Sequence, residues 1–253
     1  MTARALVVAA CLIGGCVGRT GPATPIKVAT GIAVTAQVQL RVDAWTRLST
    51  ATDGRAIESK AAEDVPVSIR RIFDEGIPTG PVDVVFVVDT TGSMTDDIDA
   101  VKADMRQILG HLRQRNPDSR IGVVAYRDVT DEYLTRTFLS LTADDVAIQA
   151  AISAIVVGGG EDWREHVYAG INTALDHQPW RHEASQHIIL MGDAPPHDDY
   201  HNDPRTYESV TTKAQTAPLR VRIHTIGIKC DASCEEALAL ESDARSKQSR
   251  LRP

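Results

Sequence analysis

The chain has 253 residues, 43% of them hydrophobic, which is enough for one large domain or for one domain with an extension. Its formal net charge is −7, and no dense cluster of lysine and arginine occurs along it. This charge argues against a nucleic-acid-binding protein. The aromatic content of only 4% argues in the same way against a surface on which bases stack.

The first sixteen residues have the organisation of an export signal. A positive charge at Arg4 precedes an apolar run that ends at Ile13, and two glycines then lead to Cys16. The run is too short to form a permanent transmembrane helix. The sequence Ile13-Gly14-Gly15-Cys16 resembles a bacterial lipobox, which implies lipidation of Cys16; ordinary secretion with cleavage nearby is the alternative. We therefore expect a location in the bacterial cell envelope, either on the outer membrane through a lipid anchor or free as a periplasmic or secreted protein.

Cys230 and Cys234 are the two cysteines that remain once the signal, with Cys11, is removed. In an oxidising compartment they could form a disulfide. A spacing of four within a regular helix would strain that bond, so two free thiols are the alternative. The sequence leaves both states open.

Residues 17–80 form a linker and an extension with little regular patterning. Within them, "VTAQVQLRVDAW" alternates apolar Val38, Leu40 and Val42 with polar residues, which predicts a half-buried strand that could fill an edge of the main sheet. The breaker cluster "GIPTGP" follows, and we place the start of the main domain, residues 81–253, directly after it.

Strands and helices alternate from Val82 onwards. The runs "VDVVFVVD", "RIGVVAY" and "QHIILMGD" are continuously apolar, as is typical of strands that are buried on both faces. Apolar residues spaced for one helix face follow the first run: Ile98, Val101, Met105, Ile108, Leu109 and Leu112. This alternation predicts an α/β domain with a mostly parallel sheet, whose ligands bind at the carboxyl ends of the strands.

Three acidic loops are expected at that end of the sheet. Asp89 begins "DTTGSM" after the first buried strand, Asp193 begins "DAPPHDD" after the fourth, and Asp162 lies in "GGGEDWRE". A single carboxylate at the end of a strand often does no more than cap the next helix. Three together repel one another unless a proton or a cation joins them. Because carboxylate and hydroxyl oxygens are hard ligands, the pattern favours magnesium or manganese.

These motifs resemble a known family. "DTTGSM" is similar to the metal-ion-dependent adhesion site (MIDAS) of the von Willebrand factor type A (vWA) family, whose first motif is Asp-x-Ser-x-Ser; Asp89, Thr91 and Ser93 occupy its positions. "IGVVAYRD", "GGGEDWREHVYAGI" and "LMGDAPPH" resemble successive segments of a bacterial branch of that family. The resemblance implies a doubly wound, Rossmann-like fold with one Mg²⁺ or Mn²⁺ ion. Its ligands would be Asp89, Thr91, Ser93, Asp193 and, where better-known members offer a threonine, Asp162.

The resemblance also implies a binding module, not an enzyme, because family members typically bind other proteins. The partner would be a protein that the sequence does not identify, while membrane contact would come through the lipid anchor and no nucleic acid would be bound. A third aspartate neutralises the cation more fully, so a partner's carboxylate would be attracted less strongly.

An enzyme of another class is the alternative. An apolar strand followed by Asp-x-Thr-Gly-Ser also resembles the phosphorylated loop of haloacid-dehalogenase-type (HAD) phosphotransferases, in which Asp89 would be the nucleophile. Thr91 then stands where these phosphatases usually carry a general acid. They also need a cation to hold the phosphoryl group, and since no lysine occurs between Lys102 and Lys213, Arg164 or Arg181 would have to serve.

Overall fold

A computed structural model describes residues 39, 41–160, 164–197, 200 and 202–228. The predicted signal and Cys16, the pair Cys230 and Cys234, and Asp162 all lie outside the described residues. Within the described ranges, none of the helices combines the length and the apolar character that a membrane span requires.

Six strands form a single sheet in the order β1-β6-β5-β2-β3-β4. β4 runs antiparallel to β3, and all other neighbouring strands are parallel. The strands are β1 (Ala56–Ser59), β2 (Val82–Asp89), β3 (Ser119–Tyr126), β4 (Thr135–Thr142), β5 (Ser185–Gly192) and β6 (Val221–Ile228). The predicted α/β class with a mostly parallel sheet is confirmed.

Helices cover both faces of the sheet and so create two hydrophobic cores. The helices are α1 (41–51), α2 (Asp64–Gly76), α3 (Thr95–Arg115), α4 (Asp145–Ser153), α5 (Val167–His177) and α6 (Tyr207–Gln215). Residues of α2, α3 and α4 line one core, and residues of α1, α5 and α6 line the other. The six apolar positions predicted for one face of α3 are all buried.

The central strand, β2, is buried along its whole length. Val84, Phe86 and Val88 point into one core, while Val85 and Val87 point into the other. This is the period of two expected for a strand between two helical layers, and it explains why "VDVVFVVD" is apolar without interruption. The strand carries its last residue, Asp89, to the centre of the sheet's carboxyl edge.

The strand predicted across Val38, Leu40 and Val42 is wrong for the described residues, because the chain is helical at 39 and over 41–51. Arg41, Trp45 and Leu48 are buried and lie on one helix face at spacings of four and three. The alternation placed Arg41 on an exposed face. In the structure its guanidinium is buried, and Nη2 lies 2.7 Å from Oε2 of Glu58.

The edge of the sheet next to β6 is filled by β1, not by "QVQLRV". The chain before β1 is attached to β6 by three backbone donors: Ile223 N–H donates to Thr52 Oγ1 (3.0 Å), Thr225 N–H to the Arg55 carbonyl (2.8 Å), and Arg55 N–H to a ring nitrogen of His224 (3.1 Å). α2 packs into one of the two cores. The domain start at residue 81 stays a prediction, and the segment 41–77 shares the cores of the residues that follow it.

A buried ion pair closes the amino end of the sheet. Asp83 in β2 is completely buried, and its carboxylate accepts from the backbone N–H of Arg181 (2.8 Å) and from its Nε (2.9 Å). Arg181 also donates from Nη1 to Asp118 (2.6 Å) and from Nη2 to the Val82 carbonyl (3.0 Å). Both charges are therefore matched, and the segment before β5 is held against β2.

Replacing Arg181 by methionine should lower the free energy of unfolding by about 3–5 kcal/mol, because the carboxylate of Asp83 is left buried without its counter-charge. Urea denaturation measures this change. Arg71→Met is the control, since Arg71 is 60% exposed and pairs only with Glu75 four residues away; it should cost less than about 1 kcal/mol. Equal losses in the two variants would contradict the prediction.

Two buried histidines connect β5 and β6 through one chain of hydrogen bonds. Arg55 N–H donates to Nδ1 of His224, so His224 carries its proton on Nε2 and donates to Nδ1 of His187 (2.9 Å). His187 in turn donates from Nε2 to Ser185 Oγ (2.7 Å). Burial, and then the charges of neighbouring groups, lowers the pKa of His187 well below its ordinary value and that of His224 to about 3. Both rings are therefore neutral at pH 7.

Acidification should lower the stability of the folded protein through these two histidines. Since both pKa values are lower in the folded protein than their ordinary value of 6.5, the unfolded chain takes up protons first as the pH falls. Each histidine should cost about 2 kcal/mol of stability between pH 6.5 and about pH 5. Urea denaturation across this range should show a shallower loss for His187→Gln than for the wild type. The exposed His182→Gln serves as control, and a wild-type slope in His187→Gln would refute the assignment.

Candidate metal centre

Asp89 ends β2 with a carboxylate that is completely buried. Its Oδ1 accepts hydrogen bonds from the backbone N–H (3.0 Å) and the hydroxyl (2.7 Å) of Thr91, whereas Oδ2 is buried with no hydrogen-bond partner. Ser93 lies in the short 3₁₀ helix Gly92–Met94, with its Oγ 3.5 Å from that of Thr91. Three of the predicted ligands are thus brought together around one unsatisfied carboxylate oxygen.

The loops that follow the strands are joined to one another by backbone hydrogen bonds. Gly158 N–H donates to the Thr90 carbonyl (3.0 Å), and Gly92 N–H donates to the Gly159 carbonyl (3.3 Å). Further along the glycine-rich segment, Glu165 N–H donates to the Pro195 carbonyl (3.2 Å) in the loop after β5. The three predicted loops therefore meet at the carboxyl edge of the sheet.

Asp193 follows β5 directly and is 4% exposed. The preceding residue, Gly192, lets β5 approach the central carboxylate closely. A Cβ atom at Gly192 would lie 2.6 Å from the Tyr126 hydroxyl and 3.1 Å from Oδ2 of Asp89. Only glycine fits this space without displacing Asp89 or Tyr126, so the glycine of "MGD" is part of the site's construction.

Sequence reasoning missed Glu165, which is 2% exposed and has a buried Oε2 with no hydrogen-bond partner. A Cβ atom at Gly160, whose φ is +83°, would meet Thr91 Cβ at 3.1 Å and Glu165 Oε1 at 3.7 Å. The Glu165 carboxylate therefore lies beside the loop that follows β2. The motif "GGGEDWRE" ends on this residue, but the predicted ligand within the motif was Asp162, which is not among the described residues.

The loop after β3 brings two further acidic residues to the same edge. Asp131 accepts from the backbone N–H groups of Gly160 (3.1 Å, to Oδ1) and Asp128 (3.1 Å, to Oδ2), while Asp128 accepts from the hydroxyl of Tyr200. Asp128 ends the motif "AYRD" after a buried strand, in the same way that Asp89 and Asp193 follow theirs. That position was the signal in the sequence that could have identified it.

The buried carboxylates raise one another's pKa values. Burial and then the charge of Asp193 raise the pKa of Asp89 to about 8. Burial and then the charges of Asp89 and Asp128 raise the pKa of Glu165 well above its ordinary value. The nearby Arg127 binds elsewhere, donating from Nε to Thr90 Oγ1 (3.2 Å) and from Nη2 to the Val156 carbonyl (2.8 Å). With its pKa raised to about 8, Asp89 is held largely in its protonated form at pH 7 when no cation is bound, and ionisation of Glu165 is likewise disfavoured.

The available donors are all oxygen atoms, which suits a hard divalent cation. The unsatisfied oxygens of Asp89 and Glu165 are the first candidates. Thr91 donates its hydroxyl proton to Asp89, which leaves the lone pairs of its oxygen available. In the described part of the chain, no three acidic, histidine or cysteine side chains are grouped as metal ligands. A cation here would therefore need the hydroxyls of Thr91 and Ser93.

The geometry does not support the HAD alternative. Arg181, one of the two arginines that could have held a phosphoryl group, is bound to Asp83 at the amino end of β2, at the opposite edge of the sheet from Asp89. Asp89, the nucleophile in that reading, has no exposed surface.

Comparison with known proteins identifies the family of the chain. The von Willebrand factor A domain family matches residues 83–248. A curated relative, the alpha-protein kinase vwkA of Dictyostelium discoideum, is 29% identical over 129 residues, which make up 50% of this chain and 20% of the relative. The chain thus spans about a fifth of the length of that relative.

Two solved structures are similar to parts of the chain. The vWF domain of the type V pili tip protein Mfa5 from Porphyromonas gingivalis has a TM-score of 0.38 and 21% identity, over 49% of this chain and 43% of that one. The SpRpn10 VWA domain has a TM-score of 0.41 and 14% identity, over 64% and 95% of the two chains. Since the family match spans well over half of its residues, the chain belongs to the von Willebrand factor A domain family.

Proposed function

We propose that the protein is an exported vWA module that binds a divalent cation at the carboxyl edge of its sheet and contacts a protein partner there. The single observation that carries the proposal is the buried, unsatisfied Oδ2 of Asp89 beside two hydroxyls. vWA domains commonly mediate protein–protein interactions, which supports the second half. Export, with lipidation at Cys16 as its membrane anchor, rests on the sequence pattern of the first sixteen residues.

The proposed ligands are Asp89, Thr91, Ser93 and Asp193, with Asp162 retained from the sequence motif. The structure gives reason to add Glu165, because its carboxylate is buried next to the same loop and lacks a partner for Oε2. Bound Mg²⁺ or Mn²⁺ would supply the positive charge that lets these carboxylates ionise together. Water or an oxygen of the partner would complete the coordination.

The proposed role is binding without catalysis. Asp89, Asp193 and Glu165 carry three negative charges when ionised, and one divalent cation offsets two of them. A partner's carboxylate would therefore meet a site that is still negative overall, so neutral oxygen donors are favoured. The Dictyostelium relative is named a kinase, but the matched segment makes up only 20% of that protein. We therefore do not carry the kinase activity over to this chain.

Magnesium or manganese should raise the melting temperature of the wild-type chain above its value in EDTA. A ligand that binds only the folded state at 100 times its Kd adds about 2.7 kcal/mol of stability. Asp89→Asn should lose this response and be about as stable as the wild type without cation, because it removes a carboxyl that burial already keeps neutral. The exposed Asp99→Asn is the control and should respond fully. A full response in Asp89→Asn, or none in the wild type, would refute the proposed cation site.

Glu165→Gln should weaken Mn²⁺ binding by about tenfold or more, in the range found for groups that support a metal site. Isothermal titration calorimetry measures the affinity. Glu132→Gln changes the same chemical group on a side chain that is 69% exposed and should bind like the wild type. If the two variants bind Mn²⁺ with the same affinity, Glu165 is not part of the site. The cation site itself is tested separately by Asp89→Asn.

A further inference from the structure

A cavity of about 270 Å³ lies among α1, α5 and the segment from the β5 loop into α6. Three tyrosine rings line it, those of Tyr168, Tyr200 and Tyr207, together with the guanidinium groups of Arg47 and Arg205. Its volume is just below the ~300–1,000 Å³ of pockets for drug-sized ligands. It therefore suits a ligand about the size of one amino-acid residue.

The charge of Arg205 is already matched. Its Nε donates to Oδ1 of Asp203 (2.8 Å) and its Nη2 to Oδ2 (2.6 Å), and the His166 ring also bonds Oδ2 (2.7 Å). The hydrogen bonds from Arg205 hold the pKa of Asp203 below its usual range, so this carboxylate is ionised. Asp203 and Arg205 thus form a neutral, fixed wall of the cavity.

Arg47 is placed differently. Its guanidinium carbon lies 4.3 Å from the centroid of the Tyr207 ring, and none of the ion pairs within the described ranges includes it. The Tyr207 hydroxyl donates to the Arg47 carbonyl (3.3 Å), which ties the ring to α1. Because a cation–π contact with Tyr207 does not neutralise its charge, the guanidinium of Arg47 can still donate to an anion.

We propose that this cavity binds a carboxylate, carried by an acidic side chain of a peptide. A guanidinium matches the two oxygens of a carboxylate, and the aromatic lining of the cavity would contact the apolar stem that carries it. Glu208 also lines the cavity, and its negative charge weakens the binding of an anion. The Tyr200 hydroxyl donates to Asp128, so the cavity adjoins the acidic edge of the sheet without using its carboxylates.

The test uses the full chain freed of divalent cations by a chelating resin, in a buffer without carboxylates, so that its result is independent of the cation proposal. N-acetylglutamate N-methylamide is titrated by calorimetry or NMR, with the glutamine analogue as its neutral match. Glutarate and inorganic phosphate are titrated in parallel. Saturable binding of the glutamate compound, and none of the glutamine compound, supports the proposal. Absence of carboxylate binding, equal binding of the glutamine analogue, or tighter binding of phosphate would overturn it.

The source of the carboxylate is decided by the same titrations. Tighter binding of the glutamate compound than of glutarate supports a peptide side chain, whereas tighter binding of glutarate overturns that assignment in favour of a free dicarboxylic acid.

Matched variants locate the site. Arg47→Gln should weaken binding of the glutamate compound by about tenfold or more, and Glu208→Gln should strengthen it, because one removes the attracting charge and the other the opposing charge. Arg71→Gln, an exposed arginine on α2, should leave binding unchanged. Circular dichroism confirms that each variant is folded. Unchanged binding in Arg47→Gln would overturn the proposal even if the wild type binds.

Discussion

Burial of the Asp89 carboxylate at the centre of the sheet is the constraint on which the candidate site depends. β2 lies between β3 and β5 and is covered by helices on both faces, so the side chain of its last residue is completely buried. A buried charge is costly unless it is paired and hydrogen-bonded. Thr91 satisfies one oxygen of Asp89, while the nearby acids of the adjoining loops act against ionisation. The site must therefore hold either a proton or a cation.

The convergence of these acids depends on glycines at the points where the loops touch. Gly159 and Gly160 have φ values of +81° and +83°, in the left-handed region that favours glycine. A Cβ atom at Gly159 would lie only 1.8 Å from a carboxylate oxygen of Asp131, and Gly192 is similarly crowded by Asp89. Two glycines of the run "GGG", Gly159 and Gly160, are thus explained by packing: they let the glycine-rich segment come within contact distance of the loops after β2 and β3.

What could be predicted from the sequence was the part that local pattern controls. The uninterrupted apolar run of β2 and the face of α3 follow from periodicity, and the position of Asp89 follows from the end of that run; Thr91 and Ser93 were named as ligands through the resemblance to the vWA motif, and this assignment stays a prediction. The same reasoning from periodicity gave a wrong prediction at Arg41. Its burial depends on Glu58, which lies 17 residues away and in another element, so the charge looked exposed and a helix was read as a strand.

Glu165 was missed for a related reason. Nothing local separates it from Asp162 or Glu161, which stand in the same motif. Glu165 is distinguished by its contacts in the folded chain. Its backbone N–H donates to the loop after β5, and its carboxylate is buried beside Thr91. Asp131 likewise lies at this edge because β3, which its loop follows, is the neighbour of β2 in the sheet, whereas Asp128 could have been identified from its position after a buried strand. Such contacts are properties of the assembled sheet and not of any single motif.

The two ends of β2 each carry a buried aspartate, and they differ in whether the chain supplies a counter-charge. At the amino end, Asp83 has a built-in counter-charge, because Arg181 binds both of its oxygens. At the carboxyl end the described residues offer Asp89 no such arginine, and Arg127 is occupied by Thr90 and the Val156 carbonyl. At the amino end, an ion pair within the chain therefore stabilises the buried aspartate without any ligand. The second end has an unsatisfied oxygen and, among the described residues, no built-in counter-charge, and this asymmetry within one strand is a physical argument for the proposed cation site.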